Sequence, residues 1–132
     1  MSRVEATIRE RLAGGGRALV PYLTAGYPDA VTTRRLAVAA IDSGADLLEI
    51  GIPFSDPIAD GPTIQRSSAT ALAAGMTPEG ALEIVAAIHA ERPATPLVVM
   101  TYFNPVLSMG LETFLSRFES AGGSALVFPD LS

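Results

Sequence analysis

Residues 49–62 read EIGIPFSDPIADGP, with three carboxylates and three prolines in one short stretch. Glu49 lies inside the hydrophobic run DLLEIGI. In a strand, Leu48, Ile50 and Ile52 share one face of that run, while Leu47, Glu49 and Gly51 share the other. Keeping a carboxylate ionised there costs several kcal/mol unless it is paired. The physical response is a raised pKa, which suits a general acid or base working near neutrality. Gly51, two residues on, leaves open space for a bound substrate. The structural alternative is a glutamate bonded to nearby backbone or reaching solvent. Asp60 precedes Gly61-Pro62 and fits equally a helix start, where the positive end favours an acid. Asp56, between Ser55 and Pro57, is of turn type. The three acids could also hold Mg²⁺ or Ca²⁺ through oxygen ligands, although E-x₆-D-x₃-D matches no EF-hand loop.

Composition narrows the chemistry further. There is no cysteine, which excludes thiolate metal sites and thiol nucleophiles. His89 is the only histidine, and it falls in the last turn of its helix, where a structural role suits it. All nine basic residues are arginines, so no lysine can form a Schiff base or bind pyridoxal phosphate. The net charge of −5 argues against nucleic acid or an anionic membrane as partner. The chain has no apolar run long enough to span a bilayer, and its N-terminus lacks a signal-peptide core. A cytoplasmic protein is expected. The reaction must run on carboxylates, hydroxyls, amides or backbone groups.

The elements that position these groups follow from periodicity. Residues 3–12 predict an amphipathic helix closed by Gly14–Gly16. Strands are predicted at 18–26, 46–52, 96–103 and 124–130. Helices are predicted at 30–43 (Asp29 as N-cap), at 63–74, from Thr77-Pro78 to before Pro93, and over Leu111, Phe114, Leu115 and Phe118 as one face. Asn104-Pro105 reads as a turn. Strands alternating with helices, and themselves nearly unbroken hydrophobic runs, predict a parallel sheet covered by helices. No linker divides the 132 residues, so a single domain is expected.

A doubly wound dinucleotide domain would place G-x-G-x-x-G after the first strand, but that turn reads TAGYPD. A (β/α) barrel fits better, and four strands make half of one. Polar residues stand where every strand runs out: Thr24, Glu49, Tyr102 with Asn104, and Asp130. In a barrel these ends converge on one face.

These residues carry a resemblance. LLEIGIPFSDPIADGPTIQRSSATALAAG (47–75), LVPYLTAGYPD (19–29), VVMTYFNPVLSMG (98–110) and VFPDLS (127–132) closely resemble the tryptophan synthase alpha subunit family. The resemblance implies a TIM barrel that cleaves indole-3-glycerol phosphate by a retro-aldol reaction to indole and glyceraldehyde 3-phosphate. It implies no cofactor. It also implies a pyridoxal-phosphate beta subunit as partner in an α₂β₂ assembly. It places the two catalytic carboxylates on Glu49 and Asp60, and an indole pocket on Tyr22, Ala59, Ile64, Met100 and Tyr102. Pro53, Asp56, Pro57 and Asn104 would meet the beta subunit, and Asp130 would order the loops over the site.

Two departures bear on activity. The resemblance covers the N-terminal half of the family's barrel. The later units, which carry the lid loop and the phosphate-holding glycine nests, lie beyond it. Residues 122–125 read GGSA where the family usually has a sequence like GVDG. The expected function is therefore a lyase that needs the other half. The rivals are a non-catalytic fragment that binds the beta subunit or self-associates, and a different small-molecule barrel enzyme.

Overall fold

Leu23, Ile50, Val99 and Leu126 are register partners across four parallel strands, and this row faces the helices. The computed structural model describes residues 1–131; Ser132, the last letter of the VFPDLS match, lies outside them. The strands are β1 (Tyr22–Thr24), β2 (Leu48–Gly51), β3 (Leu97–Met100) and β4 (Ala125–Val127), in the order β1-β2-β3-β4. The helices are α1 (Arg3–Ala13), α2 (Ala30–Asp42), α3 (Pro62–Ala73), α4 (Pro78–Glu91), α5 (Phe103–Met109) and α6 (Leu111–Ser120). The core lies between the sheet and α2, α4 and α6, and is built from Leu48, Ile50, Leu82, Val85, Ile88, Leu97, Val99 and Phe114. No single helix among the described residues is long and apolar enough to cross a membrane.

Helices α2 and α4 start at Asp29 and Thr77-Pro78 as the sequence predicts, and both starts are capped. Asp29 accepts from Thr32 N (2.7 Å) and Thr77 from Gly80 N (3.0 Å), each satisfying an orphan N–H of the first turn. The first strand is shorter than expected. Residues 19–21 still run beside β2, with Asp46 N donating to Leu19 O (2.9 Å) and Glu49 N to Pro21 O (2.9 Å). Pro21 has no N–H to return, so the regular ladder starts only at Tyr22.

Helix α5 occupies the stretch expected to be a turn. Asn104-Pro105 signals a turn, but proline is also tolerated in the first turn of a helix, and here it falls just after the start at Phe103. The predicted stripe on α6 is only partly inside. Phe114 is fully buried, whereas Leu111 and Leu115 stay exposed at its flank. The GGSA departure also has a packing reason. A Cβ on Gly123 would collide with the Phe118 ring; Gly122, which the family pattern shares, has φ +87° and lies against the His89 ring.

Candidate active site

The opposite face of the sheet carries two rows. Tyr22, Glu49, Val98 and Ala125 are partners in one, and Thr24, Gly51, Met100 and Val127 in the next. Glu49 is thus held by two flanking strands with its side chain on the face away from the helices. It is half-buried, and desolvation alone pushes its carboxyl above the ordinary glutamate value. No cation pairs with it among the described residues.

Asp60 ends the loop between β2 and α3. Its neighbour Gly61, not Asp60, is the N-cap of α3, and no side chain caps that helix. The carboxylate is therefore not consumed as a cap. Burial raises it above the usual aspartate value, and the Tyr102 hydroxyl offsets part of that rise. The loop is pinned from below. Tyr102 Oη accepts from Ala59 N at 2.9 Å, and its ring packs on Phe54 at a centroid separation of 5.3 Å. Gln65 Nε2 donates to Asp60 O at 2.8 Å.

Tyr102 is only 2% exposed, so it supports the loop more than it lines an open pocket. Replacing Tyr102 by Phe is expected to lower stability by about 1 kcal/mol, the net value of one such hydrogen bond. The Asp60 carboxyl should then titrate at a higher pH, because the hydroxyl that pulls it down is gone. Urea unfolding and carboxyl ¹³C NMR titration measure the two effects.

Gly51 does not leave open space. The Tyr22 ring lies along it, and a Cβ built there would overlap the Tyr22 hydroxyl. The two residues are one strand apart and one row apart, so the phenol leans from the Glu49 row onto the next. Burial raises the Tyr22 hydroxyl, and the nearby Asp60 and Glu49 carboxyls add to this. Thr24 and Ser67 belong to the same cluster. Thr24 Oγ1 lies 2.7 Å from Ser67 Oγ and 3.3 Å from Tyr22 Oη. Thr24 was visible as a strand-end polar residue. Ser67 carried no sequence signal beyond its place on α3.

The remaining predicted residues sit around this centre. Ile64 on the first turns of α3 is half-buried, Met100 is buried in the Gly51 row, and Ala59 is exposed on the loop. Asp56 and Asn104 are exposed, and Pro57 is half-buried. Pro53 is buried instead of presented: together with Phe54, Asn104 and Pro105 it lines a cavity of about 340 Å³ between the loop and α5. Asp130 accepts from Phe103 N with both oxygens, at 3.2 and 3.1 Å, and so ties the end of β4 to the start of α5. His89 lies in the last turn of α4, with Nδ1 buried and unpartnered. No three acidic, histidine or cysteine side chains converge as a metal-ligand set among the described residues.

The sequence and the fold have counterparts among known proteins. The sequence profile described as Tryptophan synthase alpha chain matches residues 9–132. The tryptophan synthase alpha chain of Dechloromonas aromatica is 48% identical over 131 residues, covering 98% of this chain and 48% of the relative. That of Chloroflexus aurantiacus is 46% identical over 131 residues, covering 99% and 49%. Tryptophan synthase subunit alpha from Legionella pneumophila str. Paris superposes with a TM-score of 0.94 at 37% identity, over 99% of this chain and 50% of that one. Tryptophan synthase from M. tuberculosis in its aminoacrylate-bound form gives 0.93 at 40% identity, over 99% and 53%. The chain spans about half the length of the curated relatives it matches. With four parallel strands, two carboxylates raised by burial beside them and this match along nearly its whole length, the chain belongs to the tryptophan synthase alpha chain family.

Proposed function

We propose that the chain forms the N-terminal half of the barrel of a carbon–carbon lyase, which cleaves indole-3-glycerol phosphate to indole and glyceraldehyde 3-phosphate in tryptophan biosynthesis. The observation that carries this reading is the placement of two half-buried carboxyls at one end of the sheet, Glu49 on β2 opposite Tyr22 in the ladder and Asp60 at the end of the loop that follows. Both carboxyls are raised by burial, and both act on the same phenol, that of Tyr22. Cleavage requires one proton at indole C3 and the removal of another from the glycerol hydroxyl as the C–C bond breaks. Glu49, fixed on a strand and poorly solvated, is suited to moving those protons. Asp60 accepts the indole N–H and stabilises the positive charge that develops on the ring. Tyr22, Ala59, Ile64 and Met100 border the space for the flat ring, with Tyr102 beneath the loop. The reaction needs no cofactor, because both proton transfers and the charge stabilisation are within reach of these side chains.

The partner is a pyridoxal-phosphate beta subunit, in an α₂β₂ assembly in the cytoplasm. Asp56, Pro57 and Asn104 present the meeting face, with Pro53 packed behind them. Ile58 at the tip of the same loop is 85% exposed and Leu107 on α5 is 57% exposed, which supports an apolar contact there. Asp130 orders this region through its bonds to Phe103 N.

The test compares two proteins. One is the 132-residue chain alone; the other is a completed barrel, in which the chain is joined to the C-terminal half of the Dechloromonas relative. The completed barrel is expected to release indole from indole-3-glycerol phosphate. The chain alone is expected to show little or none, because the binding energy of the phosphate is not available to it. A completed barrel that folds and releases no indole overturns the reading.

A further inference from the structure

Among the described residues, two side chains from outside the turn that ends in Asp60 hydrogen-bond to its backbone. The turn's own bonds, Ile58 N to Asp56 O (2.9 Å) and Asp60 N to Pro57 O (3.1 Å), set its shape but not its placement on the sheet. One outside hold is the Tyr102 hydroxyl, at the end of β3, which accepts from Ala59 N. The other is the carboxamide of Gln65, the fourth residue of α3, whose Nε2 lies 2.8 Å from Asp60 O and 3.5 Å from Pro57 O. Both acceptors are carbonyls, so the amide faces the turn with its NH₂ group and spans the two ends of the turn. The start of α3 offers no substitute. Gly61 is the N-cap, has no side chain to bond back, and puts the freest backbone joint between Asp60 and the helix.

We propose that Gln65 is a positioning residue for the lyase reaction, holding the Asp60 peptide so that its carboxylate meets the substrate where positive charge develops. The proposal deepens the lyase reading and rests on it. With Tyr102 as the only hold, the turn pivots about Ala59; a second hold from α3 removes that freedom. Asp60 N is fixed by Pro57 O and Asp60 O by Gln65. Fixing both ends of one residue fixes the direction of its Cα–Cβ bond, and so the point from which the carboxylate starts. Gln65 is exposed and its amide is spent on carbonyls, so it acts through Asp60 and not on the substrate. Water competes for an exposed bond of this kind, and its net contribution to global stability is small. Placement is a different matter, since an error of about 1 Å in a reacting group costs up to about a hundredfold in rate.

The experiment uses the completed barrel and Gln65→Met, which keeps the length of the side chain and removes both N–H donors. The variant is expected to release indole from indole-3-glycerol phosphate about ten- to a hundredfold more slowly, mainly through kcat, with its urea midpoint unchanged. In an Asp60→Asn background, which lacks the carboxylate, the same change is expected to cost almost nothing further. Carboxyl ¹³C NMR should show Asp60 titrating closer to the ordinary aspartate value in Gln65→Met, because a loosened turn lets water reach a carboxyl that burial raises. An unchanged rate in Gln65→Met overturns the proposal, and so does an equal loss with and without the Asp60 carboxylate. A lowered urea midpoint with Asp60 titrating as in wild type also overturns it, since that is a structural role alone. In each of these cases a wild-type barrel that releases indole leaves the lyase reading standing. If the wild-type barrel releases none, the lyase reading falls, and the Asp60 titration decides the role of Gln65: a shift in Gln65→Met supports it, and no shift overturns it.

Discussion

In the completed barrel, Glu49→Gln is expected to lower the rate of indole formation by about 10²- to 10⁴-fold, the usual contribution of a positioned acid–base group. Glutamine keeps the shape and hydrogen-bonding capacity of the side chain but carries no titratable proton, so binding of indole should survive. The argument for a large effect is the environment of the carboxyl. Glu49 is raised by desolvation, no cation among the described residues counters it, and its backbone is locked in a ladder with Tyr22 on one side and Val98 on the other. In wild type, kcat/KM should titrate with a group above the ordinary glutamate value of about 4.3, and that step should vanish in the variant. Retained turnover in Glu49→Gln removes Glu49 from the acid–base role.

The same substitution has a signed effect on stability. A carboxyl whose folded pKa is raised favours the folded state below its unfolded pKa, and this contribution is lost as pH rises through the folded value. At neutral pH the wild type therefore carries a buried charge that the variant lacks. Glu49→Gln should be the more stable of the two at pH 7, and the difference should close toward pH 3. Thermal unfolding at the two pH values measures it.

Phe114→Ala is expected to lower stability by about 3–5 kcal/mol, the range for removing a buried aromatic ring. Phe114 is 0% exposed, and its ring is stacked against Phe118 at 6.4 Å with a 10° angle between the planes. The cavity would open where α6 packs onto α4 and α5, and Phe118 would lose its fixed neighbour over Gly123. Because the site lies on the opposite face of the sheet, the folded fraction should keep its indole affinity. Urea unfolding followed by indole titration separates the two. A loss below about 1 kcal/mol would mean that the core collapses around the deletion with little cavity left.

The two substitutions probe opposite faces of one sheet, and the sequence specified that division. Alternation in DLLEIGI places Leu48 and Ile50 with the helices and Glu49 away from them, because successive strand side chains must point to opposite faces. The Asp29 cap, the helix start at Thr77-Pro78 and the presence of the four strands were legible for the same reason: they depend on residues a few positions apart. The α5 helix was not, since Asn104-Pro105 suits both a turn and the first turn of a helix, and the contact with α6 favours the latter. The space beside Gly51 was misread because a missing side chain looks empty in a sequence, whereas register and rotamer bring the Tyr22 ring into it. The Thr24–Ser67 and Ala59–Tyr102 bonds each join residues 43 apart. Local pattern therefore determined the chemistry available to this chain and the face that carries it. Packing between distant segments decided which hydroxyls hold Tyr22 and the Asp60 loop, because only the assembled sheet fixes the distances between them.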